Sequence, residues 1–184
     1  MSLVELIAQA DERGLAASGL ACLDRCVPLL GGDDETLRPL WASLTDDAGT
    51  GDWGEGLEQA RKKLDAAGTG DEAALLAHRM LEAAPAERSP AGVRVWADAC
   101  SVAALQIHRL LDTAEDDASS VAVRREGRTE GMSPLVAAEL RRQITVLEVL
   151  AGHGPAGLRR ALEVSTEGRR VLRAVVSRRS RQQG

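Results

Sequence analysis

The sequence has no tyrosine and no phenylalanine, and three tryptophans are its large aromatic side chains. A chain without tyrosine has no phenol to use in acid–base catalysis, so that class of chemistry is excluded. Its core must be built from small aliphatic side chains, supplied mainly by 30 alanines and 25 leucines. Alanine and leucine are strong helix formers, whereas sheets are rich in aromatic and β-branched residues. The composition therefore favours closely packed helices.

Long hydrophobic runs are also absent, because no stretch approaches the roughly 18 apolar residues that a membrane-spanning helix needs. The first residues, MSLVELIAQADER, carry acids where a secretory signal would carry positive charge. The three cysteines are an odd number, so we expect free thiols in a reducing compartment. Together these features predict a cytoplasmic protein with no membrane partner.

Lysine is scarce, since two lysines stand beside 21 arginines in a chain of net charge −5. The charge is unevenly distributed: residues 1–120 carry a net −12 and residues 121–184 a net +7. This split raises two expectations, an acidic partner for the C-terminal part or pairing between the two halves. Arginine suits both, because its planar fork matches carboxylates and phosphates.

Apolar residues recur at helical spacing along most of the chain, and no segment alternates as a strand would. We predict an all-α fold, an antiparallel bundle of about seven to eight helices. A helical-repeat arrangement of hairpins in the N-terminal half is the second choice, because residues 71–85 resemble the second helix of a tetratricopeptide unit. We expect one domain over 1–184, with an acidic helical part (1–115), a charged linker (116–132) and basic C-terminal helices (133–184).

The clearest periodic signal follows Ser89 and Pro90, a helix start with proline at its first position. Apolar residues then recur at alternating spacings of three and four, which is typical of a heptad seam. The seam consists of Val93, Trp96, Cys100, Ala103, Ile107, Leu110 and Ala114. We expect this stripe to be buried.

Three patterns could carry chemistry, and for each we favour a structural role. Residues 49–54 match G-x-G-x-x-G, but no strand precedes them, so they are predicted to form a turn. Cys22 and Cys26 share a helix face and could ligate zinc with Cys100 and a histidine, yet a single pair inside an apolar helix favours buried side chains. We expect His108 to be half-exposed with a local hydrogen bond. No catalytic residue, metal or cofactor is predicted.

Residues 158–173 resemble a helix-turn-helix of the kind found in many bacterial repressors. The resemblance is carried by Ala161, Leu162, Val164, Ser165 and Thr166. It implies that Ser165 caps a recognition helix that carries Arg169, Arg170 and Arg173 toward the major groove of DNA. Two positions depart from the pattern, because Glu163 stands at the turn glycine and Arg169 at a buried aliphatic position.

The alternative, which we favour, is one continuous helix through the same residues. Its inward face would have regular three- and four-residue spacing. The face consists of Leu158, Ala161, Ser165, Gly168, Leu172 and Val175. Ser165 and Gly168 are small, so a neighbouring helix could approach closely there.

Three hypotheses for function follow. The first is a non-enzymatic interaction or regulatory module that docks helix against helix, with another protein or a second copy of the chain as its partner. The second is a nucleic-acid-binding regulator that uses the arginine-rich stretch 155–181. The third is a helical-bundle enzyme or ligand pocket around Trp96, Cys100 and His108. The expected contact residues for a protein or nucleic acid are Arg159, Arg160, Arg169, Arg170, Arg173, Arg178 and Arg179.

Overall fold

The structure, a computed structural model, describes residues 1–45, 50–64, 71–113 and 120–182. Every regular element in these ranges is helical, which confirms the all-α prediction. The α-helices are α1 (Leu3–Gln9), α2 (Glu12–Cys26), α3 (Arg38–Ser43), α4 (Thr50–Lys63), α5 (Glu72–Ala83), α6 (Pro90–Leu111), α7 (Val121–Arg125), α8 (Pro134–His153) and α9 (Gly157–Gln182). Short 3-10 turns at Val27–Leu30 and Gly154–Ala156 follow α2 and α8.

Polar side chains fix where several helices begin. Ser2 and Glu5 form a capping box at α1, in which Ser2 N donates to the Glu5 carboxylate at 2.7 Å. Ser89 accepts from the backbone of α6, and Pro90 occupies its first turn as predicted. Asp112, at the end of α6, accepts from Leu135 N of α8 at 2.8 Å. The end of α6 therefore supplies a cap for the start of α8.

Helix α2 lies at the centre of the bundle and packs against α6, α8 and α9. All of its residues from Gly14 to Cys26 are buried. It packs closely against α6 at Gly19, where an added Cβ would lie 2.6 Å from a ring carbon of Trp96. Glycine is thus required there by space, and the buried apolar residues around α2 form a single cluster.

The seam predicted on α6 is only partly buried. Val93, Trp96, Cys100 and Ile107 are at most 2% exposed. Ala103 is half-buried, Leu110 is 43% exposed, and Ala114 lies outside the described residues. The burial of Leu110 was wrongly predicted. A seven-residue repeat drifts by about 20° per heptad around a straight helix. The edge of the seam that starts at Trp96 therefore turns outward by Leu110, whereas the edge that starts at Val93 is still buried at Ile107.

Helix α9 is continuous through the segment that resembles a helix-turn-helix. Ser165 does not cap a second helix, because its Oγ donates to Ala161 O within α9 at 2.9 Å. The helix-turn-helix prediction is therefore wrong, and the favoured single helix is confirmed. Its whole predicted inward face is buried, namely Leu158, Ala161, Ser165, Gly168, Leu172 and Val175.

The segment predicted as a charged linker, 116–132, contains helix α7. Arg124 and Arg125 of this helix are buried, 2% and 8% exposed. Arg125 donates to Asp98 and to Ser101 Oγ, which holds α7 against α6. Residues 116–119 of the predicted linker and residue 49 of the glycine pattern lie outside the described residues. Residues 50–54 of that pattern lie in helix α4, so the turn predicted there is wrong. Among the helices that the structure describes, none is long and apolar enough to cross a membrane.

Candidate interaction surface

A cluster of polar side chains lies in the core where α2, α6 and α8 meet. Arg25 of α2 donates from Nε to one oxygen of Glu139 of α8 at 2.6 Å, and from a terminal nitrogen to the other at 2.7 Å. Gln143 donates to the same carboxylate at 3.0 Å and accepts from Ser101 Oγ of α6 at 2.6 Å. All four side chains are at most 2% exposed. The cluster ties three helices together and does not face solvent.

His108 lies beside this cluster with its Nε2 3.7 Å from Glu139 Oε1. Its Nδ1 is 2.7 Å from Ala104 O, which confirms the predicted local hydrogen bond. The predicted half-exposure is wrong, since His108 is 1% exposed on the inward side of α6. Burial lowers the pKa of His108 although Glu139 opposes the shift. Burial alone would raise the pKa of Glu139, but Arg25, His108 and the hydrogen bond from Gln143 together outweigh it and lower that pKa.

The three cysteines are free and buried, as predicted. Burial raises the pKa of the Cys22 thiol to about 12 and the pKa of the Cys100 thiol well above its ordinary value. The thiolate is the reactive form of cysteine, so these side chains are poor nucleophiles. In the part of the chain that the structure describes, no group of three or more histidine, cysteine or acidic side chains could hold a metal ion.

The pocket predicted around Trp96, Cys100 and His108 does not form. All three side chains are packed in the core and are at most 2% exposed. Four clefts on the described surface are lined by other residues. These three side chains are therefore part of the core and not of a surface cleft.

Two of the seven arginines predicted to contact a partner are turned toward the chain itself. Arg169 is 4% exposed and donates to Asp24 of α2 and, at 3.0 Å, to Asp34 Oδ1. Arg173 donates to the same Asp34 oxygen at 3.0 Å. Asp24 also accepts from Trp41 Nε1 at 3.0 Å. These contacts match one expectation raised by the charge split, pairing between the acidic and basic halves.

The other five arginines lie nearer solvent. Arg179 is 3.6 Å from Asp71, and Arg160 is 3.4 Å from Glu163. The exposed ones are Arg159, Arg160, Arg170 and Arg178. Glu163 and Glu167 are exposed on the same helix. The outer side of α9 is thus of mixed sign, whereas strong phosphate binding calls for a concentration of positive charge.

Helix α6 carries a solvent-facing stripe with no charged residue. We call it the α6 outer face, and it consists of Val95, Ala99, Val102, Gln106 and Leu110. Val95 is 72% exposed and Leu110 43%, and Val102 is partly exposed. These positions recur at three- and four-residue spacing and so share one side of the helix. An exposed apolar stripe on a long helix is typical of a surface that contacts another protein.

The α6 outer face leads at its C-terminal end into a cleft of about 500 Å³. Leu110 and Leu111 of α6, Leu135 of α8 and Val175 of α9 supply its apolar lining. Arg178 and Arg179 lie at the same cleft. Two of the predicted contact arginines therefore lie beside an apolar surface.

The α6 outer face was not predicted from the sequence, because the heptad seam on the other side of the helix is the stronger periodic signal. A signal was present: positions 95, 99, 102, 106 and 110 follow helical spacing and are all uncharged. On α9, by contrast, most of the outward positions are charged.

Comparison with known proteins gives no matching family model, no matching curated protein and no matching solved structure.

Proposed function

We propose that the protein is a non-enzymatic interaction module that docks helix against helix through the α6 outer face. The uncharged, exposed stripe from Val95 to Leu110 is the observation that carries this proposal. An apolar helix face gains free energy when a partner helix removes it from water. The contact is therefore expected to survive high salt, unlike one held by surface ion pairs.

The buried side chains of the bundle also support this proposal. The described cysteines, His108 and Glu139 are buried, and their contacts are made within the chain. Such a network holds a fixed shape and leaves recognition to the surface. A rigid helix that presents its outer face needs no rearrangement to meet a partner.

A capture experiment with matched baits tests this proposal. The wild-type chain, Val95→Glu and Val171→Glu are immobilised and exposed to lysate of the producing cells, at low and high salt and after nuclease treatment. Val171 is a partly exposed valine on α9 (37%), so the second variant controls for an added surface charge. We expect wild type and Val171→Glu to retain a stoichiometric protein, either a different protein or the chain itself, and Val95→Glu to lose it.

Two outcomes would overturn the proposal. One is retention of the same proteins by all three baits, which would place the contact elsewhere. The other is retention that disappears with nuclease or at high salt, which would favour phosphate binding by Arg159, Arg170 and Arg178.

A further inference from the structure

We infer that the cleft between the N-terminal end of α3 and the middle of α9 binds a free α-amino acid with an aliphatic side chain, through both its carboxylate and its ammonium group. The cleft has a volume of about 220 Å³, and its lining comes from α2, α3, α9 and the turn before α3. It is separate from the α6 outer face, so this inference does not rest on the proposed function. Three properties of the cleft favour this class of ligand.

The first property is a balance of opposite charges. Three acidic side chains and three arginines line the cleft, namely Asp24, Asp34, Glu35, Arg38, Arg169 and Arg170. A cleft lined by charges of one sign concentrates ions of the other sign. This cleft instead presents both signs side by side, so it is complementary to a small molecule that carries both charges.

The second property is a buried guanidinium that keeps a free donor. The side chain of Arg169 is 5% exposed, and its Nε and Nη1 donate to Asp34 and Asp24. No described hydrogen bond uses its Nη2, which is a donor as well. Arg170 lines the same cleft, and none of the described ion pairs uses it. The two guanidinium groups can together bind a carboxylate, which accepts through both of its oxygens.

A free carboxylate oxygen lies beside this donor. Oδ1 of Asp34 accepts from Arg169 and from Arg173, each at 3.0 Å, and no described contact uses Oδ2. Burial alone would raise the pKa of Asp34, but Arg173 and Arg169 together outweigh it and lower that pKa. Asp34 is therefore ionised at neutral pH, and its Oδ2 can accept from an ammonium group.

The closeness of these two groups selects the spacing of charges in the ligand. Arg169 Nε and Asp34 Oδ1 are 3.0 Å apart, so the guanidinium and the carboxylate are immediate neighbours. A ligand that meets both must carry its own carboxylate and ammonium close together. An α-amino acid does so, because both groups are attached to one carbon atom.

The third property is a small apolar wall. Leu37, Trp41 and Leu162 line the cleft. Leu37 and Trp41 are buried, and Leu162 is 37% exposed. Sites for drug-sized molecules enclose about 300–1,000 Å³, so this smaller cleft suits a molecule the size of an amino acid. An aliphatic side chain would lie against the wall, whereas a charged one would meet no counter-charge there.

Calorimetric titration of the full chain with leucine and two matched analogues tests which groups of the ligand are bound. Isopentylamine has the same side chain without the carboxylate, and 4-methylpentanoate has it without the ammonium group. We expect leucine to bind and each analogue to bind at least about tenfold more weakly, because each loses one set of charge-assisted hydrogen bonds. Valine, isoleucine and alanine complete the series of side chains.

Substitutions on α9 and in the turn test the location of the site. Arg170 and Arg178 are both exposed on α9, and circular dichroism should show that neither Arg170→Ala nor Arg178→Ala changes the helix content. Arg170→Ala should weaken leucine binding by about threefold, as expected for an exposed charge pair. Asp34→Asn, which removes a charge at constant shape, should weaken it by about tenfold. Arg178 lies outside the cleft, so Arg178→Ala should bind leucine like wild type.

Three results would overturn the inference. The first is that none of the four amino acids binds at about 10 mM, which would make any affinity weaker than millimolar. The second is equal binding of leucine and 4-methylpentanoate, which would define an anion site that does not recognise the ammonium group. The third is leucine binding that is the same in wild type, Arg170→Ala and Asp34→Asn, which would place it outside this cleft. None of these results bears on capture through the α6 outer face, so the two proposals can fail independently.

Discussion

Arg169 of α9 and Asp24 of α2 form an ion pair that is almost closed to solvent, with side chains 5% and 3% exposed. The two residues are 145 positions apart in the sequence. The carboxylate is shared, because Trp41 of α3 donates to its second oxygen. This one acid therefore joins three helices, and Arg169 is its only cationic partner among the described hydrogen bonds.

Replacement of Arg169 by an uncharged residue should lower the free energy of unfolding substantially. Arg169→Met leaves Asp24 buried without its counter-charge, and we expect a loss of about 3–5 kcal/mol in the free energy of unfolding at neutral pH. The loss should shrink in acid, because burial already raises the pKa of Asp24 and a protonated Asp24 needs no counter-charge. Urea unfolding at several pH values measures both effects. Arg173→Ala, whose side chain is 41% exposed, should cost less than about 1 kcal/mol, and equal costs for the two variants would contradict this account.

His108 should make the fold sensitive to mild acid. Burial lowers its pKa in the folded state, so the unfolded chain takes up the proton first as the pH falls. The stability that neutral His108 contributes is present above its ordinary pKa of about 6.5, and it is lost as the pH falls toward the lowered value. We expect the urea midpoint of wild type to fall between pH 7 and pH 5, and His108→Asn to show a flatter profile.

The matched control for this profile is His153→Asn, which removes an exposed imidazole at the end of α8. It should keep the wild-type slope. A slope that is the same in wild type, His108→Asn and His153→Asn would assign the acid sensitivity to the carboxylates instead, beginning with Glu139, whose lowered pKa acts in the same direction.

Two glycine-to-alanine changes should shift the free energy of unfolding in opposite directions. At Gly168 of α9 a Cβ would collide with Cδ of Arg25 and lie 3.0 Å from Cδ of Arg142. Arg25 is held by Glu139 and has no room to yield, so we expect Gly168→Ala to cost about 1–3 kcal/mol. At Gly152 of α8 nothing lies within 4 Å of an added Cβ, and Gly152→Ala should stabilise by about 0.5–1 kcal/mol through helix propensity. Thermal unfolding of both variants measures the difference. A stabilised Gly168→Ala would show that α9 does not pack tightly against Arg25 and Arg142 at Gly168.

Alanine substitutions three residues apart on α6 should separate its two faces. Ile107 is fully buried, and Ile107→Ala is expected to lose about 2–5 kcal/mol. Leu110 is 43% exposed, and Leu110→Ala should lose less than about 1 kcal/mol of monomer stability. Urea unfolding of dilute protein compares the two. Similar losses would mean that the heptad seam is buried along its whole length after all.

The helices and the inward face of α9 could be predicted from sequence because both depend on local spacing. Leu158 to Val175 keep their three- and four-residue intervals, and Pro90 and Ser89 mark a helix start directly. The class of fold followed from the same local information, helped by the absence of tyrosine and phenylalanine.

The buried polar contacts could not be predicted in this way. Arg25 and Glu139 stand 114 residues apart, and each looks like an ordinary surface charge on its own helix. Arg124 and Arg125 lie in a stretch so rich in charge that it was interpreted as a linker, yet both are buried. Burial of a charge is decided by a tertiary partner and not by local spacing. The same limit applied to Arg169, whose partner Asp24 lies in the opposite half of the chain.

The three tryptophans make the folding of the protein observable by intrinsic fluorescence. Trp41 Nε1 donates to Asp24, Trp53 Nε1 to Pro85 O and Trp96 Nε1 to Met80 O, so each indole is held by a hydrogen bond within the bundle. Because the chain has no tyrosine, its near-ultraviolet emission belongs to these indoles alone. Trp53 and Trp96 lie edge to face with centroids 5.8 Å apart and report on one region together. Trp41 donates to Asp24, the carboxylate that Arg169 of α9 also contacts. In a variant that retains only Trp41, the fluorescence of this indole would therefore change when α9 separates from α2.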